Sequence, residues 1–213
     1  MFLPGYNQPD IAGKALTAGS AAMGTLAGIA REAGCALVLG YAEAAPDGVY
    51  NSALVLGADG AVVANYRKLQ LYGPRERAVY RPGDAYVTFR LGGVKAAVLI
   101  CYDVEFAPHI KALADDGAEV ILVPTANMMP FVHVVRHTVP AMAANHGVTI
   151  VYANYCGTEG DLTYVGGSLI AGPHGEVLAQ AGEGPALLIA EVPARDAARL
   201  STQSADLRFP ARG

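Results

Sequence analysis

Apolar residues recur at helical spacing between Ala15 and Ala33, where Leu26, Ile29 and Ala30 share a face and Gly34 stands at the C-cap position. A helix is predicted there, weakened by Gly24 and Gly28. The pattern then shortens to strand length. "CALVLGY" is one apolar run, and "VYNSALVLGADGAVVANY" holds two more joined by Ala58, Asp59 and Gly60, a hairpin turn signal. "YVTFRLGGVKAAVLI" repeats the device at Gly92 and Gly93. Pro108 to Asp116 then reads as a helix before the strand "AEVILVP", and Val132 to His146 as a longer helix before "VTIVYANY". Hairpins return with "GGSLIAGPHGEVLAQ", turning at Pro173 to Gly175, and "ALLIAEVP" reads as a last strand. Several strands are apolar on both faces, which predicts an α/β sandwich with sheets packed between layers rather than a barrel.

Composition narrows the picture. The chain has 213 residues, 53% of them hydrophobic, enough for one domain with a full core. Residues 1–200 are assigned to that domain and 201–213 to a polar tail with no evident core. The net charge is -4 and the basic residues are scattered, so neither a nucleic acid nor a membrane is expected as partner. The longest apolar runs, Ala96 to Ile100 and Val120 to Val123, fall far short of the roughly 20 residues that span a bilayer. The opening "MFLPGYNQPD" has no charged stretch or apolar run of leader length, and the three cysteines cannot all pair, which points to a cytoplasmic protein with free thiols.

Cys101 ends the buried strand of "VKAAVLICYDVEFAPHI", with turn residues and a helix start just beyond. A thiol there lies near backbone N–H groups, and the Tyr102 N–H is placed to meet an oxyanion formed when sulfur attacks a carbonyl or nitrile carbon. On residue type alone, the favoured reading of Cys101 is a small apolar plug in the core. Lys68, in "YRKLQLYG", is either an ordinary solvated lysine or a buried cation that needs a carboxylate partner. Glu43, just past a strand in "GYAEAAPDG", is the candidate partner; otherwise it is an exposed loop carboxylate. Asn127 and Met128, after "VPTA", stand where substrate contacts or a structural turn are expected. Cys35 and Cys156 read as core or rim residues, and the helical pair His133 and His137 lacks a third metal ligand at convincing spacing, so no metal and no cofactor are expected.

Four blocks, "GYAEAAPDGVYNSALVLGADG", "NYRKLQLYGPRERAVYRPGD", "VLICYDVEFAP" and "GAEVILVPTANM", together resemble in order and spacing the nitrilase superfamily of carbon-nitrogen hydrolases, in its amidase or carbamoylase-like branch. The resemblance implies an αββα sandwich and a Glu-Lys-Cys triad. In it Cys101 attacks, Lys68 stabilises the tetrahedral intermediate, and Glu43 matches the second glutamate that orients the lysine. It also implies that "MFLPGYN" follows a strand ending in Pro-Glu, so that the general-base glutamate, with a first strand, helix and strand, is expected ahead of Met1. Where many relatives have Phe-Pro-Glu, this chain has Phe106, Ala107 and Pro108, and Lys111 stands in place of a common Arg.

True nitrilases usually show Trp-Glu after the nucleophile, whereas Tyr102 and Asp103 follow here. The expected activity is hydrolysis of a non-peptide C–N bond in a small amide through a cysteine acyl-enzyme. The alternative is an inactive or truncated relative that only binds, or a remnant. A homodimer or larger assembly is expected because relatives associate across the sandwich helices and the tail from Ser201 to Gly213 resembles an arm.

Overall fold

The protein is described by a computed structural model covering residues 2–210. Helix α1 (Ala21–Ala33) closes at Gly34, whose φ of 59° is the left-handed C-cap that glycine adopts without strain. It starts six residues later than the periodicity predicts. Leu16 is instead taken up by the sheet edge: its N–H donates to the Ala42 carbonyl and its own carbonyl accepts from the Ala44 N–H.

The first sheet is an antiparallel meander of β1 (Leu37–Ala45), β2 (Gly48–Leu56) and β3 (Val62–Arg67). Asp59 and Gly60 make the predicted β2–β3 turn, with Gly60 at φ 76° and the Asp59 carboxylate accepting from the Ala61 N–H. After α2 (Gly73–Val79), the second sheet begins with the hairpin β4 (Thr88–Leu91) and β5 (Val94–Val98), turning at Gly92 and Gly93. Helix α3 (Ala107–Asp115) leads to β6 (Val120–Thr125), which adds parallel to β5, and α4 (Val139–His146) to β7 (Thr149–Asn154), which adds parallel to β6. A small separate hairpin, β8 (Cys156–Glu159) and β9 (Leu162–Val165), precedes β10 (Leu169–Ala171) and β11 (Val177–Gln180), which complete the order β11-β10-β7-β6-β5-β4.

The layers follow from where each face buries its apolar side chains. Ala53, Val55 and Tyr66 of the first sheet share one core with Ala97, Ile121 and Ile150 of the second, so the sheets pack face to face. Met23 and Ala30 of α1 cover the other side of the first sheet at Tyr41, Leu54 and Leu56. Ile110 and Leu113 of α3, with Val139 and Ala143 of α4, cover the far side of the second. This is the αββα sandwich expected.

The long helix predicted from Val132 is interrupted by one π turn, Val134–Thr138, where the Val139 N–H reaches back five residues to the Val134 carbonyl. Pro140 explains it: lacking an N–H, it cannot make the regular bond to residue 136, and the widened turn relieves the clash of its ring. The predicted strand "ALLIAEVP" does not form. A strand needs a partner ladder, and among the described residues none flanks this segment, which leaves Leu187 and Ile189 over 80% exposed. In the tail, Gln203–Asp206 forms one turn, α5, against α4, and residues 211–213 lie outside the described residues. So do Met1 and the position expected for the base glutamate ahead of it. Among the described residues, no helix is long and apolar enough to cross a membrane.

Candidate active site

Beyond β5 the chain runs buried through Leu99 and Ile100, then turns sharply at Cys101, which has φ 48°. A left-handed conformation at a non-glycine residue costs of order 1–3 kcal/mol, so the surrounding structure must hold it. Asp103, fully buried, does so within a short 3-10 turn (Cys101–Glu105). Its carboxylate accepts from the Ile100 N–H at 3.0 Å, the Tyr66 hydroxyl at 2.8 Å and the Gln70 N–H at 2.7 Å. Burial raises the Asp103 pKa above its ordinary value, against the pull of Lys68 and these three donors. The clamp ties the Cys101 elbow to the loop after β3, and the altered sequence around Ala107 and Pro108 leaves it intact: Pro108 sits in the first turn of α3, and Lys111 pairs with Asp115.

That loop carries Lys68. Along β3 side chains alternate faces, so Arg67 points outward and Lys68 inward. Lys68 is 1% exposed, and its Nζ donates to Glu76 Oε1 at 2.8 Å and Oε2 at 2.7 Å. Glu76 also accepts from the Tyr72 N–H at 2.7 Å and from the Tyr6 hydroxyl. Burial works against charge on Lys68, but Cys101, Glu76 and Asp103 outweigh it, and its pKa lies above the ordinary lysine value. Tyr6 is held protonated by burial and by its nearness to Glu76 and Cys101.

Glu43 is not the partner of Lys68. It lies on the outer face of the first sheet with Arg67, Ser52 and Asn65. Arg67 Nη2 donates to it at 2.6 Å, and Ser52 and Asn65 at 2.6 and 3.0 Å. Burial pushes the Glu43 pKa up, and these bonds bring it below the usual carboxylate range. Arg67 also lies over the Tyr50 ring, 3.9 Å from its centre. The lysine's carboxylate is Glu76, which sequence reasoning missed. Between two arginines in "PRERA" it reads as part of a solvated helix face; its signals are Pro74 at the helix start and the turn before it, which fold α2 back over the lysine.

The Cys101 thiol opens on a cavity of ≈ 290 Å³. Tyr102, Asn127 and Met128 line it, so the predicted substrate-contact residues and the predicted nucleophile share one space. Tyr72, Phe131, Glu105 and His133 also line it and were not singled out as site residues from sequence. Asn127 is fixed at both ends: its N–H donates to Asn154 Oδ1 at 2.8 Å and its side-chain amide to the Phe131 carbonyl at 3.1 Å. Cys35, exposed ahead of β1, and Cys156, opening β8, line no part of this cavity. Among the described residues, no three His, Cys, Asp or Glu side chains converge as a metal site.

The family model described as carbon-nitrogen hydrolase matches residues 1–201. A Pseudomonas protegens protein named "Hydrolase in pqqF 5'region" is 42% identical over 194 residues, covering 89% of this chain and 68% of its own length. An "(R)-stereoselective amidase" of a Pseudomonas species is 38% identical over 159 residues, with 74% of this chain and 57% of that protein covered. The chain thus spans between about three fifths and two thirds of these relatives' lengths. Crystal structures of an amidase from Nesterenkonia sp. AN1 superpose with a TM-score of 0.80 at 39% identity, over 88% of this chain and 72% of theirs. One variant of that amidase carries acrylamide added at its active-site cysteine. A cysteine-to-alanine variant of it was solved with butyramide.

Proposed function

The chain belongs to the carbon-nitrogen hydrolase family, and from that premise we propose that it hydrolyses a small amide through a thioester on Cys101. The supporting observation is the elbow that presents Cys101 to a small cavity, with the buried Lys68–Glu76 pair beside it. The sulfur attacks the carbonyl carbon, and Lys68 and the Tyr102 N–H stabilise the negative oxygen. The C–N bond then breaks, and the amine leaves with the proton that came from the thiol. Water adds to the thioester, the C–S bond breaks, and the carboxylic acid leaves. Glu76 keeps Lys68 aimed at the reacting carbonyl. Amides are favoured over nitriles because Tyr102 and Asp103 follow the nucleophile.

The test is a panel of small amides, carbamoyl compounds and nitriles, read by ammonia release and by intact mass. The expected result is a gain of one acyl group at Cys101 from amides. No adduct from any amide would overturn the proposal. An inactive binding protein finds no support among relatives that are themselves named as hydrolases.

We also propose self-association, supported by the exposed Leu187, Ile189 and Phe209. Sedimentation at micromolar concentration is expected to show a dimer or larger species; monomer alone contradicts it.

A further inference from the structure

Four buried or half-buried carboxylates are matched to donors, whereas the one that lines the cavity is not. Glu43 is held by Arg67, Glu76 by Lys68, Asp103 by three donors, and Glu159 by the backbone N–H groups of Tyr6 and Asn7 with Gln8 and Tyr164. Glu105 lines the same cavity as Cys101, four residues further along the same turn. Among the described residues it has no hydrogen bond or ion pair, and only the more distant charges of His133 and Lys68 act on it. Lys68 is already committed to Glu76.

The walls beside Glu105 are aromatic. The rings of Tyr72 and Tyr102 are 5.3 Å apart and edge to face, and those of Tyr72 and Phe131 6.0 Å. Aromatic rings and an unpaired carboxylate lining one small cavity both favour a cation over a neutral chain. We propose that Glu105 determines specificity, selecting amides whose acyl chain ends in an ammonium group.

Burial raises the Glu105 pKa, so that an apolar acyl chain, which excludes water without supplying a donor, leaves the carboxylate poorly served. An ammonium removes that penalty. A neutral chain gains only the apolar contacts of Met128 and Phe131. His133, at the exposed rim, is the nearest competing side chain, but it makes no hydrogen bond or ion pair with Glu105.

The proposal rests on the amidase reading, and its test is made independent of turnover by using the Cys101→Ala protein. Calorimetry compares 5-aminopentanamide with hexanamide, in which a methyl replaces the ammonium. The cationic amide is expected to bind about tenfold tighter or more, and the added Glu105→Gln change to bring the two within about twofold while hexanamide binding persists. Equal binding in Cys101→Ala, no binding of 5-aminopentanamide, or a preference that survives Glu105→Gln overturns the proposal. Should the double variant fail to fold, the ratio in Cys101→Ala decides alone. Failure of wild-type Cys101 to acylate would strike the amidase reading instead, with the binding ratio still measured.

Discussion

Cys101→Ala is expected to remove acyl-adduct formation and to lower amide hydrolysis by about ten-thousandfold or more, the scale on which loss of a covalent nucleophile is felt. No other thiol faces the cavity: Cys35 is exposed ahead of β1 and Cys156 lies in the β8–β9 hairpin. The fold should hardly notice. Cys101 is only partly buried, and alanine suffers no more than cysteine from a φ of 48°. The Asp103 clamp that fixes the elbow uses backbone N–H groups and Tyr66, none of which the change removes. Melting curves of the two proteins should therefore nearly superimpose while activity separates. Cys35→Ser serves as the control, with activity unchanged and one exposed thiol fewer in alkylation mass maps. Retention of a tenth of wild-type hydrolysis by Cys101→Ala would show that the chemistry lies elsewhere.

How much of this was legible in the sequence depended on how local the cause is. Turns at Asp59-Gly60, Gly92-Gly93 and Pro173 to Gly175 are set by backbone preferences of a few residues, so those hairpins follow directly from the sequence. Leu16 could not be placed in the same way, because its competitor is a strand 27 residues away, at Glu43. "ALLIAEVP" has strand composition, but composition cannot supply a neighbouring strand. The site shows the same division. Cys101 and Lys68 stand out by their neighbours, whereas the choice between Glu43 and Glu76 turns on strand parity. Once the register aligns Ser52 with Arg67, Arg67 of β3 shares the outward face of the sheet with Glu43 of β1, and only the inward face is left for Lys68. Asp103 reads as a branch signature in the sequence, and its role as the knot between two strand ends needs the fold.

Glu76→Ala is expected to cost about 3–5 kcal/mol of stability and to bring amide hydrolysis near background, because it strands a fully buried ammonium without its counter-charge. Lys68→Ala should cost as much for the converse reason, leaving the Glu76 carboxylate 2% exposed with only the Tyr72 N–H and the Tyr6 hydroxyl as donors. The two losses should not add. A buried ion pair yields little net stability over apolar residues of similar shape, since desolvating both charges offsets most of their attraction. Lys68→Met combined with Glu76→Leu is therefore expected to unfold in urea at a higher midpoint than either alanine variant, within about 1–2 kcal/mol of wild type. Activity should not return with stability. In the proposed reaction the pair contributes a fixed positive charge next to Cys101, and a methionine cannot stabilise the oxyanion however well it packs. This separation of stability from turnover is the decisive measurement: a double variant as unstable as the singles would mean that the pair is a structural keystone, and one that still hydrolyses amides would remove Lys68 from the mechanism.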